Sequence, residues 1–461
     1  MKNNRQKLLS ISMITLFVLA LTIFAPQSEL LAPAEASVYT GNPPKYIFLF
    51  IGDGMGASQV TLTRLCQGDL TMDSFTLGGT MSTHPLPSSG PITDSAAAGT
   101  ALAAGFKTDN GIISQSPEGE DYYTVLENAR DGGKSTGLVT TTRITHATPA
   151  VFASHIDDRD KENEIAEQYL EAEVNVLLGG GLRHFIPESQ SGSKRKDDRD
   201  LTQEFQNKGY TYVNNRSSLL QSQEASKLLG LFTKSDMNYE LDRDTANEPS
   251  LAEMTKVAIN ILSRNPKGFF LMVEGGRIDH ASHANDAASV VADTKAFDEA
   301  IAMALDFAQE KGETLVIVTA DHKTGGLSIG RGNTQWCKPE LLNNVKASAG
   351  RLVTLLKQDT SPLAIRQVFQ DYAGITDLTE EEIAGIQTGL AASEENDITD
   401  PVVEVINSRA NIGWTTHEHD GTAVPIFAYG PGAELFGGFI DNTDVAKAIH
   451  ELLGQQVSAL K

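Results

Sequence analysis

The sequence predicts an α/β fold, a three-layer sandwich in which helices cover both faces of a mostly parallel central sheet. Short apolar runs alternate with segments of helical periodicity from residue 46 to about 327, which is the pattern of βαβ units. Continuous apolar runs of this length are typical of strands buried on both faces. Motifs of chemically reactive residues border the runs, and in open α/β sheets ligands bind outside the carboxyl ends of the strands. The sequence therefore predicts one site at one edge of the sheet.

The predicted elements follow from local patterns. One helix is well marked, because apolar residues keep helical spacing from Ala287 to Ala308 and Gly312 follows as a stop. From about Ser328 to Gly413 the alternation fails and helical pieces replace it. Site motifs flank this segment, so we interpret 328–413 as an insertion in a single domain of 37–461. The predicted strands are 46–51, 138–142, 174–178, 269–273, 315–318 and 426–428.

Composition excludes some classes of protein. A net charge of −23 argues against nucleic-acid recognition, which needs basic surface stripes. Two cysteines, Cys66 and Cys337, are too few for a disulfide framework or a cysteine-based zinc site. One bridge between them is an alternative to two unpaired thiols, which we favour.

The N-terminus has the pattern of an export signal. Lys2, Arg5 and Lys7 precede an apolar stretch at 8–25, and Ala-Glu-Ala at 34–36 matches a cleavage site before Ser37. We expect 1–36 to be a signal peptide and the mature chain to be periplasmic, secreted or held at the cell envelope. The alternative is an uncleaved membrane anchor, since the apolar stretch is long for a signal; the expectation is no stable membrane insertion after cleavage.

Carboxylate and imidazole pairs stand at the predicted site. Asp279 and His283 are four residues apart, which places them on one face of a helix and suits zinc. Asp321 and His322 follow a buried strand, where adjacent polar groups are costly to bury without a partner. Taken singly, the alternatives are a surface histidine for the first pair and a structural pair at a turn for the second.

Two further motifs add an oxygen ligand and a nucleophile. Asp53 lies between glycines after the first strand, and its charge would repel a phosphate, so it suits bridging cations. Ser95 follows Asp94 and precedes small residues that begin a helix, whose N-terminus would stabilise an alkoxide or a bound phosphate. The alternative for Ser95 is an ordinary N-cap serine. Together the motifs indicate two zinc sites, an oxygen-rich site and a hydroxyl nucleophile.

These motifs resemble those of bacterial alkaline phosphatases, in the same order, from Tyr46 through Pro431. The resemblance implies a homodimeric enzyme that hydrolyses small-molecule phosphate monoesters through a phosphoserine on Ser95, with Arg159 gripping the phosphate. It implies two zinc ions and one magnesium ion, and it implies that the insertion at 328–413 is crown-like. The implied ligands are Asp279, His283 and His419 for the first zinc; Asp53, Asp321 and His322 for the second; and Asp53, Thr148 and Glu274 for magnesium.

Around these ligands the resemblance implies supporting positions at Asp94, His146 and His280. The pairing of His146 with His280 is similar to that of the animal enzymes, and it puts magnesium at the third site in question. For His280 the alternative is a solvent-facing histidine beside the ligand helix. For Arg159 it is a surface ion-pair cluster with the neighbouring aspartates.

Several rival functions share this chemistry. A sulfatase would need a Cys/Ser-x-Pro-x-Arg motif, which Ser95-Ala96-Ala97 lacks. A phosphodiesterase would do without Arg159 and the third site. A cofactor-independent phosphoglycerate mutase is usually cytoplasmic, whereas we expect this chain to be exported. A secreted metal- or phosphate-binding protein without turnover would not need Ser95 together with Arg159.

Overall fold

A ten-stranded sheet runs through the protein, whose computed structural model describes residues 39–454. The predicted signal segment and its cleavage point before Ser37 lie outside the described residues. In chain order the strands are β1 (Tyr46–Ile51), β2 (Leu77–Ser82), β3 (Ser135–Arg143), β4 (Val176–Gly180), β5 (Thr211–Val213), β6 (Leu228–Leu231), β7 (Phe269–Glu274), β8 (Thr314–Thr319), β9 (Lys323–Thr324), β10 (Ser328–Ile329), β11 (Ile412–Gly413), β12 (His419–Asp420), β13 (Val424–Tyr429) and β14 (Gly438–Asp441).

The sheet is mostly parallel. Its strand order is β14-β2-β13-β8-β1-β7-β3-β4-β6-β5. From β8 to β5 in this order each strand pairs in parallel with the next, and β14 is parallel to β2, whereas β13 is antiparallel to both β8 and β2. The central strands β1, β7 and β8 are buried along their whole length, because helices cover both faces.

Helices form the outer layers. Helix α10 packs against both α1 and α8, and α2, α3 and α15 form a second packed group. The helices are α1 (Ala57–Gln67), α2 (Ser95–Ala104), α3 (Val125–Asp131), α4 (Ala147–Ala150), α5 (Glu162–Ala172), α6 (Leu201–Asn207), α7 (Arg216–Gln221), α8 (Leu251–Leu262), α9 (Arg277–His283), α10 (Ala287–Lys311), α11 (Ala349–Leu356), α12 (Pro362–Ala373), α13 (Glu380–Leu390), α14 (Glu395–Ala410) and α15 (Asn442–Leu452).

The predicted α/β sandwich is confirmed, and the predicted strands all belong to the sheet. Strand β1 has the predicted bounds, and the others differ from their predicted bounds by a few residues at an end. The predicted helix is α10, and Gly312 caps it in the left-handed region. Strands β2, β5, β6 and β14 were not predicted.

The helices between β10 and β11 pack as a group beside the sheet. Strands β10 and β11 pair with each other, with Ile329 opposite Ile412, so the chain leaves and returns at one place. Apolar side chains of α11 to α14 form a cluster that includes Leu62 of α1 and Val291 of α10. These helices make up the segment 328–413 that we interpret as an insertion.

Two further observations concern the described residues. Cys66 and Cys337 are both free thiols. Between residues 39 and 454, no helix combines the length and the apolar character that a bilayer crossing requires.

Candidate metal centre and active site

The carboxyl edge of the central strands brings the predicted site residues together. Asp53 follows β1, Glu274 ends β7, and Asp321 and His322 follow β8. His419 lies in the short strand β12, which precedes β13 in the chain. Because β13 runs antiparallel to β8, its beginning lies at the same edge as the end of β8.

A first group consists of Asp279, His283 and His419. Helix α9 places Asp279 and His283 one turn apart, and Nε2 of His283 lies 3.3 Å from Oδ2 of Asp279. Nε2 of His419 lies 3.2 Å from Nε2 of His283 and 3.7 Å from Oδ1 of Asp279. A tetrahedral zinc ion with bonds of about 2.0–2.2 Å separates its ligand atoms by about 3.3–3.6 Å. The spacing of the three side chains therefore fits zinc.

A second group consists of Asp53, Asp321 and His322, all fully buried. Nε2 of His322 lies 3.4 Å from Oδ1 of Asp53 and 3.3 Å from Oδ2 of Asp321. The same Nε2 lies 3.3 Å from Oγ of Ser95. The hydroxyl thus borders the second group.

Hydrogen bonds fix which ring nitrogen faces each group. Nδ1 of His283 contacts the backbone carbonyl of His417, and Nδ1 of His419 contacts the carbonyl of Thr93 at 2.9 Å. A carbonyl only accepts, so each Nδ1 carries a proton, and Nε2 is the nitrogen that faces the group and can bind a metal. Histidines that bind metals are oriented in this way by the partner of the other nitrogen.

Buried carboxylate oxygens without partners also favour a cation. Among the described residues, Oδ1 of Asp53, Oδ2 of Asp321 and Oε1 of Glu274 have no hydrogen-bond partner. Burial, together with neighbouring carboxylates, raises the pKa of Asp321 to about 8 and the pKa of Asp53 well above its ordinary value. Burial also raises the pKa of Glu274 to about 7. A bound cation would offset this cost of burying negative charge.

A third group joins Asp53 and Glu274 to His146. Oδ2 of Asp53 lies 3.4 Å from Oγ1 of Thr148, whereas its Oδ1 lies beside His322, so this carboxylate stands between two groups. Oε2 of Glu274 accepts hydrogen bonds from Thr140 at 2.5 Å and Thr142 at 3.2 Å. Its Oε1 is left for the third group.

His146 faces the third group with a protonated nitrogen. Nη2 of Arg159 donates to Nε2 of His146 at 3.0 Å, so Nε2 is the acceptor. Burial and the charge of Arg159 hold the pKa of His146 well below its ordinary value, and the neutral ring therefore carries its proton on Nδ1. Nδ1 lies 4.0 Å from Oε1 of Glu274. As placed, His146 holds Arg159 and offers no lone pair to a cation.

Asp94 connects the predicted nucleophile with the predicted phosphate clamp. It is the N-cap of α2, and its Oδ1 accepts from the backbone of Ala97 at 2.9 Å. Ser95 is therefore the first helical residue instead of the cap. Nη1 of Arg159 donates to Oδ2 of Asp94 at 2.9 Å. Arg159 thus contacts Asp94 and His146, which differs from the alternative of a surface cluster with the aspartates beside it.

His280 lies beside the site with partial exposure. Nη1 of Arg277 donates to its Nδ1 at 2.6 Å, and its ring meets that of His146 edge to face at 5.9 Å. Burial, together with Arg277, lowers the pKa of His280 to about 4, so the ring is neutral. Sequence reasoning missed Arg277, and it also missed Thr140, Thr142 and Thr324, which hydrogen-bond to the carboxylates of the site.

The fold and these residue groups define a hydrolase with places for divalent metal ions, and comparison with known proteins agrees. The alkaline phosphatase family model matches residues 44–455. Alkaline phosphatase 4 of Bacillus subtilis is 38% identical over 469 residues, covering 98% of this chain and 98% of the relative.

Solved structures of alkaline phosphatases are also similar to this chain. The cold-active enzyme of a psychrophilic Shewanella is 32% identical with a TM-score of 0.80, over 88% of this chain and 99% of that chain. The alkaline phosphatase of Thermus thermophilus is 31% identical with a TM-score of 0.81, over 94% of this chain and 96% of that chain. This chain belongs to the alkaline phosphatase family, as its motifs indicated, and it is an enzyme with that activity.

Proposed function

We propose that this protein is an exported enzyme that hydrolyses a broad range of phosphate monoesters through a phosphoserine on Ser95, with two zinc ions and one magnesium ion. The observation that carries the proposal is the position of Ser95. Its Oγ lies at the start of a ten-residue helix and 3.3 Å from Nε2 of His322, which belongs to the second group. A binding protein without turnover would have no use for a hydroxyl there.

The residues divide into three sets of ligands under this proposal. Asp279, His283 and His419 would hold one zinc, and Asp53, Asp321 and His322 the other. Asp53, Thr148 and Glu274 would hold magnesium, whose preference for oxygen suits them. When bound, the ions act as Lewis acids on the attacking and departing oxygens.

The chain itself supplies the nucleophile and the clamp. Oγ of Ser95 loses its proton and forms a bond to phosphorus, and the P–O bond to the substrate breaks with its electrons on the departing oxygen, which takes up a proton to become the alcohol. Water then cleaves the phosphoserine, which returns the serine hydroxyl and inorganic phosphate. The positive end of α2 favours the negative charge on Oγ. Arg159 is held by Asp94 and His146 through one N–H on each Nη, which leaves its other N–H groups for the phosphate oxygens.

Substrate breadth follows from where these groups act. Each of them would contact the phosphate or the two reacting oxygens, so the alcohol needs no dedicated pocket. A phosphodiesterase is the second candidate, but a diester offers one fewer charged oxygen to Arg159. The proposal also includes a signal peptide at 1–36, a catalytic domain at 37–461 with an insertion at 328–413, and a homodimer.

Trapping the covalent intermediate tests the proposal. Enzyme mixed with a phosphate monoester and quenched in acid should yield a phosphorylated peptide that contains Ser95. Ser95→Ala should lose that peptide and at least about 10³-fold in kcat, while metal content is unchanged. Phosphate on another residue of the variant would show that Ser95 is not the nucleophile.

A further inference from the structure

Thr324 contacts residues of both predicted zinc groups, although neither the motifs nor the family ligand set includes it. It lies in the short strand β9, directly opposite His419 in β12. Its side chain is fully buried. Oγ1 lies 2.6 Å from Oδ1 of Asp279 and 3.2 Å from Nδ1 of His322. One hydroxyl therefore lies between a ligand of the first group and a ligand of the second.

The directions of these two hydrogen bonds follow from the chemistry of the partners. A hydroxyl has one proton, and a carboxylate can only accept. The proton of Thr324 is therefore donated to Asp279, and the oxygen of Thr324 is left to accept from Nδ1 of His322. Consequently the proton of His322 is on Nδ1 and the lone pair is on Nε2. Nε2 is the nitrogen beside Asp53, Asp321 and Ser95.

We propose that Thr324 is a positioning residue that fixes the tautomer of His322 and the orientation of Asp279, and so couples the two zinc sites. The inference rests on the proposed function in one respect, namely that these two groups hold zinc. His283 and His419 each use a backbone carbonyl to set the same tautomer. His322 differs, because its partner is a side chain that also binds a ligand of the neighbouring site.

The surroundings hold Thr324 rigidly in this position. Nε2 of Gln59 donates to its carbonyl at 2.9 Å, and its backbone N–H donates to the carbonyl of Gly54 at 3.2 Å. Gly54 has a φ of +69°, and a Cβ there would lie 2.9 Å from Oγ1 of Thr324 and 2.8 Å from Oδ1 of Asp279. Glycine at 54 therefore leaves the room that the hydrogen bond between Thr324 and Asp279 occupies.

Removing the hydroxyl should weaken both sites at once. Without it, Oδ1 of Asp279 loses its donor, and His322 no longer has an acceptor that holds the proton on Nδ1. Partners of this kind typically contribute about 10- to 100-fold to metal affinity. We therefore expect Thr324→Val, which keeps the shape of the side chain, to lower zinc affinity by about 10- to 100-fold at both sites.

The test is zinc binding by the full-length mature enzyme in buffers of fixed free zinc, with metal bound per chain as the readout. Thr324→Val should lose affinity at two sites, and Thr324→Ser, which keeps the hydroxyl, should restore it. Thr63→Val is the matched control, because Thr63 is equally buried but its hydroxyl donates only to the carbonyl of Gln59, at 2.9 Å. Wild-type affinity in Thr324→Val, or an equal loss in Thr63→Val, would overturn the inference.

A second measurement keeps the inference testable if Thr324→Val does not fold. Nitrogen-15 spectra of histidine-labelled, zinc-loaded wild-type enzyme report the tautomer of His322. The proton should be on Nδ1, and a metal-bound Nδ1 would overturn the inference. If the wild type takes up no zinc, the proposed function fails instead, so the two failures are distinguishable.

Discussion

Nη1 of Arg159 donates to Oδ2 of Asp94 at 2.9 Å, and Oδ1 of the same carboxylate caps the helix that begins at Ser95. One side chain therefore fixes the predicted phosphate clamp relative to the predicted nucleophile. Both oxygens of Asp94 are committed, so this carboxylate links the clamp directly to the helix that carries Ser95, while His146 supplies the second contact of Arg159.

Arg159→Ala should weaken phosphate binding and should reduce the hydrolysis of monoesters more than that of diesters. A lost bidentate, charge-assisted contact is worth roughly 1.5–3 kcal/mol, or about 10- to 150-fold in kcat/KM for a monoester. Phosphate inhibition should weaken in parallel, and hydrolysis of a diester should suffer less. Steady-state kinetics with p-nitrophenyl phosphate and its diester analogue checks this. Equal losses for both substrates, with unchanged phosphate inhibition, would contradict it.

Substitutions at Asp94 should separate its two roles. Asp94→Asn keeps a side-chain oxygen for the cap but loses the charge that holds Arg159, so the KM for phosphate monoesters should rise while the melting temperature stays near that of the wild type. Asp94→Ala loses the cap as well and should cost a further ~0.5–2 kcal/mol in the free energy of unfolding. A large loss of stability in Asp94→Asn would show that the charge pair, and not the cap, stabilises α2.

The stability of the metal-free protein should fall as pH rises. The raised pKa of Asp321, about 8, and of Glu274, about 7, exceed the values of these groups in an unfolded chain. Between about pH 4 and 8 these two carboxyls therefore bind more protons in the folded metal-free protein than in the unfolded chain, so their contribution lowers the free energy of unfolding as pH rises. Bound metal should remove this dependence.

Melting temperatures of metal-free and zinc-loaded protein, measured from pH 6 to 8.5, check this expectation. The gap between the two forms should widen as pH rises, and Asp321→Asn should flatten the curve of the metal-free form. A gap that narrows towards pH 8.5 would mean that the buried carboxylates do not control the stability of the metal-free state.

Thr379 should stabilise the insertion without affecting the site. Thr379 and Glu382 form a capping box at the start of α13. Thr379→Ala should cost about 0.5–2 kcal/mol, as measured by denaturant unfolding, with kcat and zinc content unchanged. Thr388→Ala is the control, because Thr388 is an exposed threonine of the same helix whose hydroxyl bonds only to the carbonyl of Ala384. Equal costs at both positions would argue against the cap.

The sequence predicts the elements whose signal is local and strong. Buried strands such as β1 and β8 read as continuous apolar runs, and α10 carries helical periodicity with a glycine stop. Strand β2 could not be predicted in this way, because Gly78 and Gly79 interrupt its apolar run and the strand forms by pairing with β13 and β14. The carboxyl edge as the place of the site also follows from the sequence, since strand direction decides it.

Contacts between residues distant in sequence could not be predicted. Thr324 lies 45 positions from Asp279, and the sequence around Thr324 does not show that these two side chains meet. The protonated nitrogen of His146 likewise depends on Arg159, whose conformation is set by Asp94 from another part of the chain. Hydrogen-bond direction is decided by such partners, and these become visible only in three dimensions.

We propose that two zinc sites at the edge of the sheet carry out phosphate monoester hydrolysis. The most direct test measures zinc per chain and p-nitrophenyl phosphate turnover on the same samples before chelation, after chelation and after zinc is restored. We predict two zinc ions per chain in the active enzyme, loss of turnover with their removal, and recovery in proportion to zinc returned. Full turnover by metal-free protein would contradict the account.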